Sequence, residues 1–211
     1  MNIIKLDGKS SEHYFKKIAQ IHTEEIHFGF LPLLGEDFLA LLYFYMSQVP
    51  SSGVWIAEEN GTAVGFVTGT ADIRQCYRQI IKQAWFSLSW KVLRSIFRKD
   101  VLKKIPVIIA YPFQSHHDGD DLSGEKQLHH PELLSIAISA DGKGKGIGRA
   151  LVQALENGLK EWGVKGLYFV STNSEDPNSN AFYQHVGFKP VGKHRHNDLI
   201  LQDYQKEIPL I

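Results

Sequence analysis

Apolar and polar positions along the chain fall into two periods, and the switches between them mark the elements. Ile3-Ile4-Lys5-Leu6 reads as a first strand. Ser10 and Ser11 offer an N-cap for a helix running to about Phe28, with Tyr14, Ile18, Ile21 and Glu25 at helical spacing. Gly29 ends that helix, Pro32 and Gly35 occupy the following loop, and a second helix rich in Leu and aromatics runs from about Glu36 to Gln48. Two β-prone runs, 54–58 and 63–67, flank Asn60-Gly61, a strong hairpin signal. Leu133-Leu134-Ser135-Ile136-Ala137-Ile138-Ser139 is apolar enough for a central strand. Ile147, Leu151, Leu155 and Leu159 then recur every fourth residue and predict an amphipathic helix. A strand over Gly166–Val170, a helix after Pro177 and a final strand region complete the pattern, with no internal repeat.

Between the hairpin and the central strand lie some 60 residues with a different character. Over Asp72–Lys104, Tyr77, Ile81, Ala84, Leu88 and Val92 make one apolar stripe, with Arg74, Arg78 and Lys82 beside it. Nine basic residues stand against Asp72 and Asp100 there, so the rest of the chain carries the compensating negative charge. A basic amphipathic helix of this kind can meet a membrane surface or an anionic substrate. A second apolar face (Phe86, Trp90, Leu93, Phe97) favours instead a covering helix, buried between other elements or in a homodimer. Ile105–Phe113 stays open between strand and helix. In 114–130, His116, His117, Asp118, Asp120, Asp121, His129 and His130 cluster without a spacing that fixes metal geometry, so a mobile polar loop is the stronger reading and no metal is expected.

The 211 residues are enough for one good core, and we expect a single domain over 1–211 with the insert at about 72–130. Lys+Arg and Asp+Glu both number 23, so net charge gives no indication of nucleic acid, and none is expected as a partner. The lone Cys76 excludes an internal disulfide. No signal-peptide core follows Met1, and no apolar run reaches the roughly 18 residues of a membrane span. The expectation is a soluble, cytoplasmic protein.

Candidate chemistry sits between the central strand and the amphipathic helix. Four glycines (Gly142, Gly144, Gly146, Gly148) alternate there with Lys143, Lys145 and near Arg149. Strand, glycine-rich basic loop and helix make a phosphate cradle, with backbone N–H groups turned inward at a helix N-terminus. The P-loop pattern fails for want of Gly-Lys-Ser/Thr, and a dinucleotide fingerprint has the wrong spacing. Lys143-x-x-Gly146-x-Gly148 resembles the acetyl-CoA pyrophosphate loop of the GNAT family of N-acetyltransferases, Gln/Arg-x-x-Gly-x-Gly/Ala, with Lys143 in place of Gln or Arg. Further on, the stretch around Asp176, Ser179, Phe182, Tyr183, Gly187 and Phe188 resembles the family's second signature, Asn-x-x-Ala-x-x-Phe-Tyr-x-x-x-Gly-Phe. Asp176 and Ser179 depart from its Asn and Ala.

The resemblance implies an α/β (α+β) fold: a mixed, mostly antiparallel central sheet with helices on both faces and a helical insert before the central strand. It implies acetyl-CoA as co-substrate. Backbone groups of Ile136, Ala137 and Ile138 would meet the pantetheine arm. Lys143, Gly144, Lys145, Gly146, Ile147, Gly148 and Arg149 would take the pyrophosphate. Asn173, Asp176, Ser179 and Phe182 would contribute further cofactor contacts. Tyr183 would protonate the departing sulfur, its alternative being plain packing beside Phe182. The general base varies in this family; Glu132 is the first candidate and His196 the second. His22 and Glu25 could line the acceptor side, although helix-surface positions are the commoner explanation. The expected activity is acetyl transfer to a primary amine of a small-molecule acceptor, such as an amino sugar or nucleotide-linked amino sugar. The alternatives are a protein N-terminal or lysine acetyltransferase, or a non-catalytic acetyl-CoA-binding module.

Overall fold

The computed structural model describes residues 1–29, 31–83, 130–196 and 199–209. Most of the basic stretch, the open question at Ile105–Phe113, and the His/Asp run up to His129 lie outside the described residues. The elements are β1 (Asn2–Leu6), α1 (Glu12–Glu25), a 3-10 turn (Leu31–Leu34), α2 (Glu36–Met46), β2 (Ser52–Glu59), β3 (Thr62–Thr70), and a helix α3 whose described residues are 73–83. Then come β4 (Glu132–Ile138), a 3-10 turn (Ala140–Gly142), α4 (Ile147–Glu161), β5 (Leu167–Asn173), α5 (Pro177–His185), β6 (Lys189–His196) and β7 (Leu199–Glu207). The strands form one seven-stranded sheet in the order β1-β2-β3-β4-β5-β7-β6, antiparallel except where β4 meets β5.

Local chemistry explains the boundaries. Ser11 caps α1 by accepting from the His13 N–H, and the helix stops at Glu25, short of Phe28. Ile26 turns extended there, and the Phe28 side chain is exposed, so no packing holds another turn. Ser47 ends α2 early by donating its hydroxyl to the Phe44 carbonyl, 2.7 Å away. At the hairpin, Asn60 and Gly61 both take positive φ (52° and 80°), the backbone of a tight two-residue turn whose twist matches the strands. The last strand of the sequence reading proves to be two, β6 and β7. Lys189–His196 escaped notice because it is largely polar and exposed and shows no apolar alternation.

The sheet separates two apolar clusters. On one face Phe15, Ile18 and Ile21 of α1, Leu39, Leu42 and Tyr43 of α2, and Cys76 and Ile80 of α3 pack against Val54, Ile56 and Phe66. On the other, Ile147, Leu151, Leu155 and Leu159 of α4 join Trp55, Val67, Tyr168, Tyr204 and Tyr183. Strand β2 contributes to both clusters, which is why its run is almost wholly buried. Cys76 is a core residue, and burial pushes its thiol up to about 11. Among the described residues no helix is long and apolar enough to cross a membrane.

Candidate active site

The sheet opens at its middle. Parallel strands β4 and β5 pair at a single register position, Glu132↔Phe169, beside a hydrogen bond from the Phe169 N–H to the Pro131 carbonyl (3.0 Å). Beyond it the strands part, and among the described residues the β5-facing edge of β4 along Ile136, Ala137 and Ile138 has no strand partner. The β3–β4 register also slips, because Thr68 faces Ser135 while Gly69 faces Leu133. Leu134 is therefore an extra bulged residue, which bends β4 and re-aims its backbone beside the opening.

The glycine-rich loop lies at the open end of β4. Ser139 anchors it with its N–H and hydroxyl, both donating to the Val64 carbonyl (2.9 and 3.0 Å). Gly146 is the N-cap of α4 in the left-handed conformation (φ 77°), with no side-chain cap and no acidic residue in the first turn. The first N–H groups of α4 therefore meet the loop's concavity without a side-chain acceptor, where a helix carries partial positive charge. A Cβ at Gly144 or Gly146 would enter open space, whereas one at Gly148 would come within 2.6 Å of the Phe182 ring. The glycines thus divide their work: Gly144 and Gly146 shape the cradle, and Gly148 lets α4 approach α5. Lys143, Lys145 and Arg149 are exposed around it. Lys143 is ion-paired to Glu25 at the end of α1, Lys145 to Glu59 (3.6 Å), and Arg149 Nη2 lies 3.0 Å from His185 Nε2. Uncapped donors, open glycine positions and three cations fit a pyrophosphate. On the far side of α4 a cleft of about 300 Å³ is lined by Arg149, Gln153, Glu156, His185 and Lys206 among others.

Helix α5 begins at the end of β5. Asp176, the N-cap, accepts from the Asn178 N–H (3.0 Å) and from the Ser179 hydroxyl. Both departures from the second signature are thereby spent on capping the helix, Asp176 in its ordinary cap role. Asn173 is buried and accepts from the Glu175 N–H, while Asn180, which the sequence reading passed over, ties the helix to the Asn173 carbonyl (2.9 Å). Tyr183 is buried among the rings of Phe182, Phe188 and Tyr204. Burial raises its phenol above the ordinary tyrosine value, and the charges of Asp176 and Glu132 push the same way. Among the described residues its hydroxyl makes no hydrogen bond.

On the α1/α2 face of the sheet, Glu132 sits at the fork with His130 Nε2 3.2 Å from its carboxylate. His130 also stands edge-on to Phe169 (5.0 Å, 78°). The structure adds a pair that the sequence reading missed. His194 of β6 lies 2.8 Å from Asp203 of β7, and that hydrogen bond raises its pKa, with the Asp203 and Glu132 charges adding. Only strand pairing brings residues nine positions apart together in this way. His196 is the last residue of β6. His22 is not the surface residue expected: it is 1% exposed, because its position on α1 faces the sheet. Glu25 does reach the site, through Lys143.

A sheet forked beside a bulged strand, with an uncapped helix N-terminus at the fork, is the arrangement that the family resemblance implied. The acetyltransferase (GNAT) family model matches residues 106–188, which marks a GNAT acetyltransferase domain there, that of an acyl-CoA-dependent N-acetyltransferase with acetyl-CoA as co-substrate. Similar solved structures include a putative GNAT-family acetyltransferase from Desulfovibrio desulfuricans (12% identity, TM-score 0.57, covering 99% of each chain). The ribosomal-protein-S18-alanine N-acetyltransferase from Escherichia coli is similar at 14% identity and TM-score 0.56, over 100% of this chain and 95% of that one. An N-acetyltransferase from Staphylococcus aureus Mu50 is similar at 16% identity and TM-score 0.57, over 99% and 100%. At these identities the likeness is one of fold. No curated protein sequence matches the chain.

Proposed function

We propose that this enzyme acetylates a primary amine of a small-molecule acceptor, with Glu132 as general base and Tyr183 as general acid. The observation that carries the reading is the fork: the free edge of β4 at Ile136–Ile138, the uncapped α4 loop and the Glu132 carboxylate converge there. Acetyl-CoA supplies the acyl group as an activated thioester. Lys143–Arg149 hold its pyrophosphate, and backbone groups of Ile136, Ala137 and Ile138 align the pantetheine arm. A β4 N–H polarises the carbonyl oxygen. Glu132, steadied by His130, takes one proton from the amine as the C–N bond forms. Tyr183 gives its proton to the sulfur as the C–S bond breaks, and solvent returns it. A phenol raised by burial stays protonated at neutral pH, so the donor is always loaded. The imidazole–carboxylate pairs His130–Glu132 and His194–Asp203 border the cleft, and an amine that arrives as a cation gives its extra proton to solvent before its lone pair attacks. On this reading residues 1–211 act as one cytoplasmic domain.

The test is a thiol-release assay with acetyl-CoA and a panel of amines: glucosamine, a nucleotide-linked amino sugar, spermidine and an alanine-initiated peptide. Turnover of a small amine with none of the peptide is expected. Turnover of the peptide alone would overturn the small-molecule reading. Tight acetyl-CoA binding with no turnover of any amine would favour a binding module.

A further inference from the structure

The chemistry above leaves one proton without a carrier. An amine that arrives as an ammonium must lose two protons before the amide is complete, and the Glu132 carboxylate can hold one. The same face of the sheet carries a second base.

Strand alternation and pairing place it. Glu132 stands opposite Phe169, the single register position that β4 and β5 share. Tyr168 and Val170 of β5 and Tyr204 of β7 join the cluster under α4, so Phe169, Ser171 and Asp203 lie on the opposite face. Glu132 lies on that face too, because Leu133 beside it joins the α4 cluster. Ser171, two residues past Phe169 on the fork side, donates its hydroxyl to Asp203 Oδ1 (2.6 Å). The other oxygen, Oδ2, is 2.8 Å from Nδ1 of His194, whose strand partner Leu201 puts it on the same face. Polar neighbours thus lead from the fork across β5 and β7 to β6. Among the described residues, the apolar cluster under α1 and α2 takes nothing from these three strands. Core rings fill the α4 side of β5 and β7, which leaves this polar floor for the amine's approach.

Hydrogen-bond chemistry gives the floor a direction. An ionised carboxylate only accepts, so Nδ1 of His194 donates to Asp203, and the lone pair of the neutral ring sits on Nε2. Ser171 holds the other oxygen and keeps the carboxylate from turning away. The bond to Asp203 raises the His194 pKa against partial burial, and the Asp203 and Glu132 charges add to it. The other titratable groups on this face of the described strands are His130 before β4, Lys189 and His196 of β6, and Glu207 of β7. The His194 and Asp203 side chains are 34% and 29% exposed, so solvent can exchange protons with the pair.

We propose that His194, oriented by Asp203, takes the extra proton from the ammonium form of the acceptor, leaving Glu132 to take the second as the C–N bond forms. The inference rests on the acetyl-transfer reading and deepens it. The ammonium gives one proton to His194 Nε2 and becomes a neutral amine, while Asp203 balances the imidazolium charge. The lone pair then attacks the thioester carbon, Glu132 takes one proton, the C–S bond breaks and Tyr183 protonates the sulfur. His194 releases its proton to solvent, the one proton that the overall reaction produces. The Glu132 proton replaces, through solvent, the one that Tyr183 gave. An imidazole suits this part because it takes up and releases a proton near neutral pH at every turnover. His194 touches substrate in this scheme; Asp203 and Ser171 are positioning residues that act through it.

Two measurements test it. The first follows kcat/KM for whichever panel amine is turned over, from neutral pH to above that amine's own pKa. His194→Gln should lower kcat/KM about 10²-fold at neutral pH, with acetyl-CoA affinity by calorimetry unchanged. The loss should close as the pH passes the amine's pKa, because the free amine brings no extra proton. Asp203→Asn should move the acid limb of the profile to lower pH, since the imidazole loses the charge that raises its pKa. A structural role predicts a lower Tm and a loss equal at every pH. That result overturns the proposal, and so does an unchanged profile in His194→Gln. The second is a nitrogen–proton NMR titration of histidine-labelled protein without acceptor, with His194 assigned through His194→Gln. The neutral ring should carry its proton on Nδ1, and its pKa should fall in Asp203→Asn. A proton on Nε2 overturns the proposal whether or not any amine is acetylated. A proton on Nδ1 with no amine turned over keeps the pair and counts against the acetyl-transfer reading alone.

Discussion

The two faces of the sheet bury polar groups in opposite ways. Under α4, Glu156 is 6% exposed, yet one carboxylate oxygen accepts from the Tyr168 hydroxyl (2.7 Å) and meets Lys206 Nζ (2.6 Å). Lys206 in turn lies over the Phe188 ring. That buried charge is met on both sides, as a structural network must be. Under α1 and α2, among the described residues, no ion pair meets the buried imidazole, and His22 Nε2 and Thr68 Oγ1 go without partners. One face has its polar accounts closed and serves to hold α4 where its N-terminus meets the loop. The other keeps a buried His22–Tyr43 pair with two unpartnered polar atoms beside it. Incomplete satisfaction, rather than burial alone, distinguishes the α1/α2 face from the α4 face.

The largest expected effect belongs to the α4/α5 face. Tyr183→Phe keeps the ring contacts with Phe182, Phe188 and Tyr204 and removes only the hydroxyl. Loss of a general acid typically lowers kcat by about 10²–10⁴, and acetyl-CoA affinity measured by calorimetry should barely change. Full kcat in the variant at every pH would return Tyr183 to packing alone.

The α1/α2 face should betray its buried imidazole on acidification. Burial lowers the His22 pKa from 6.5 to about 4. Below pH 6.5 the unfolded chain takes up a proton at His22 that the folded chain refuses, so stability falls with pH and levels off once the folded imidazole titrates near 4. The shift corresponds to about 3 kcal/mol across that window. Chemical denaturation of His22→Gln should lack this component of the pH dependence, so the two proteins' stability curves converge on acidification. Parallel curves would mean that water or motion solvates the ring.

Gly146 probes the loop that both faces support. Its φ of 77° strains any Cβ-bearing residue, while the space around it is empty. Gly146→Val should cost about 1–2 kcal/mol of local strain and weaken acetyl-CoA binding several-fold or more, since the branched side chain fills the cradle. Undiminished binding by calorimetry would show that the phosphate register is misassigned.

How much of this was legible in the sequence follows the same division. The cradle, α4 and the α5 signature are encoded locally: glycines next to cations, apolar residues every fourth position, Phe182-Tyr183 before Gly187-Phe188. Asn60-Gly61 announced its hairpin for the same reason. The fork was not legible, because it depends on where two parallel strands stop pairing, and no residue type marks that point. His22 and Tyr43 lie 21 positions apart, and His194 and Asp203 meet only through the β6–β7 pairing. Polar β6 gave no apolar alternation to read. His22 was misjudged because one histidine at helical spacing looks the same whether it faces solvent or the sheet.

The smallest effect concerns the Glu25–Lys143 contact, which ties the end of α1 to the loop. Glu25, at the end of α1, holds Lys143 through an ion pair in which the lysine side chain remains 60% exposed. Exposed pairs of this kind contribute about 0–1 kcal/mol, so removing the carboxylate should hardly alter Tm. Its electrostatic effect on ligand should nonetheless be visible. A pyrophosphate arriving at the loop must draw Lys143 away from Glu25 and tolerate the remaining negative charge nearby. Glu25→Gln keeps the size of the side chain, frees Lys143 and removes that repulsion. Acetyl-CoA affinity by calorimetry should therefore tighten by about two- to fivefold at low ionic strength, and the gain should shrink as salt screens the charges. Weaker binding in Glu25→Gln would mean that the pair orients Lys143 for the phosphates instead of competing with them, and the loop would then depend on α1 for its shape.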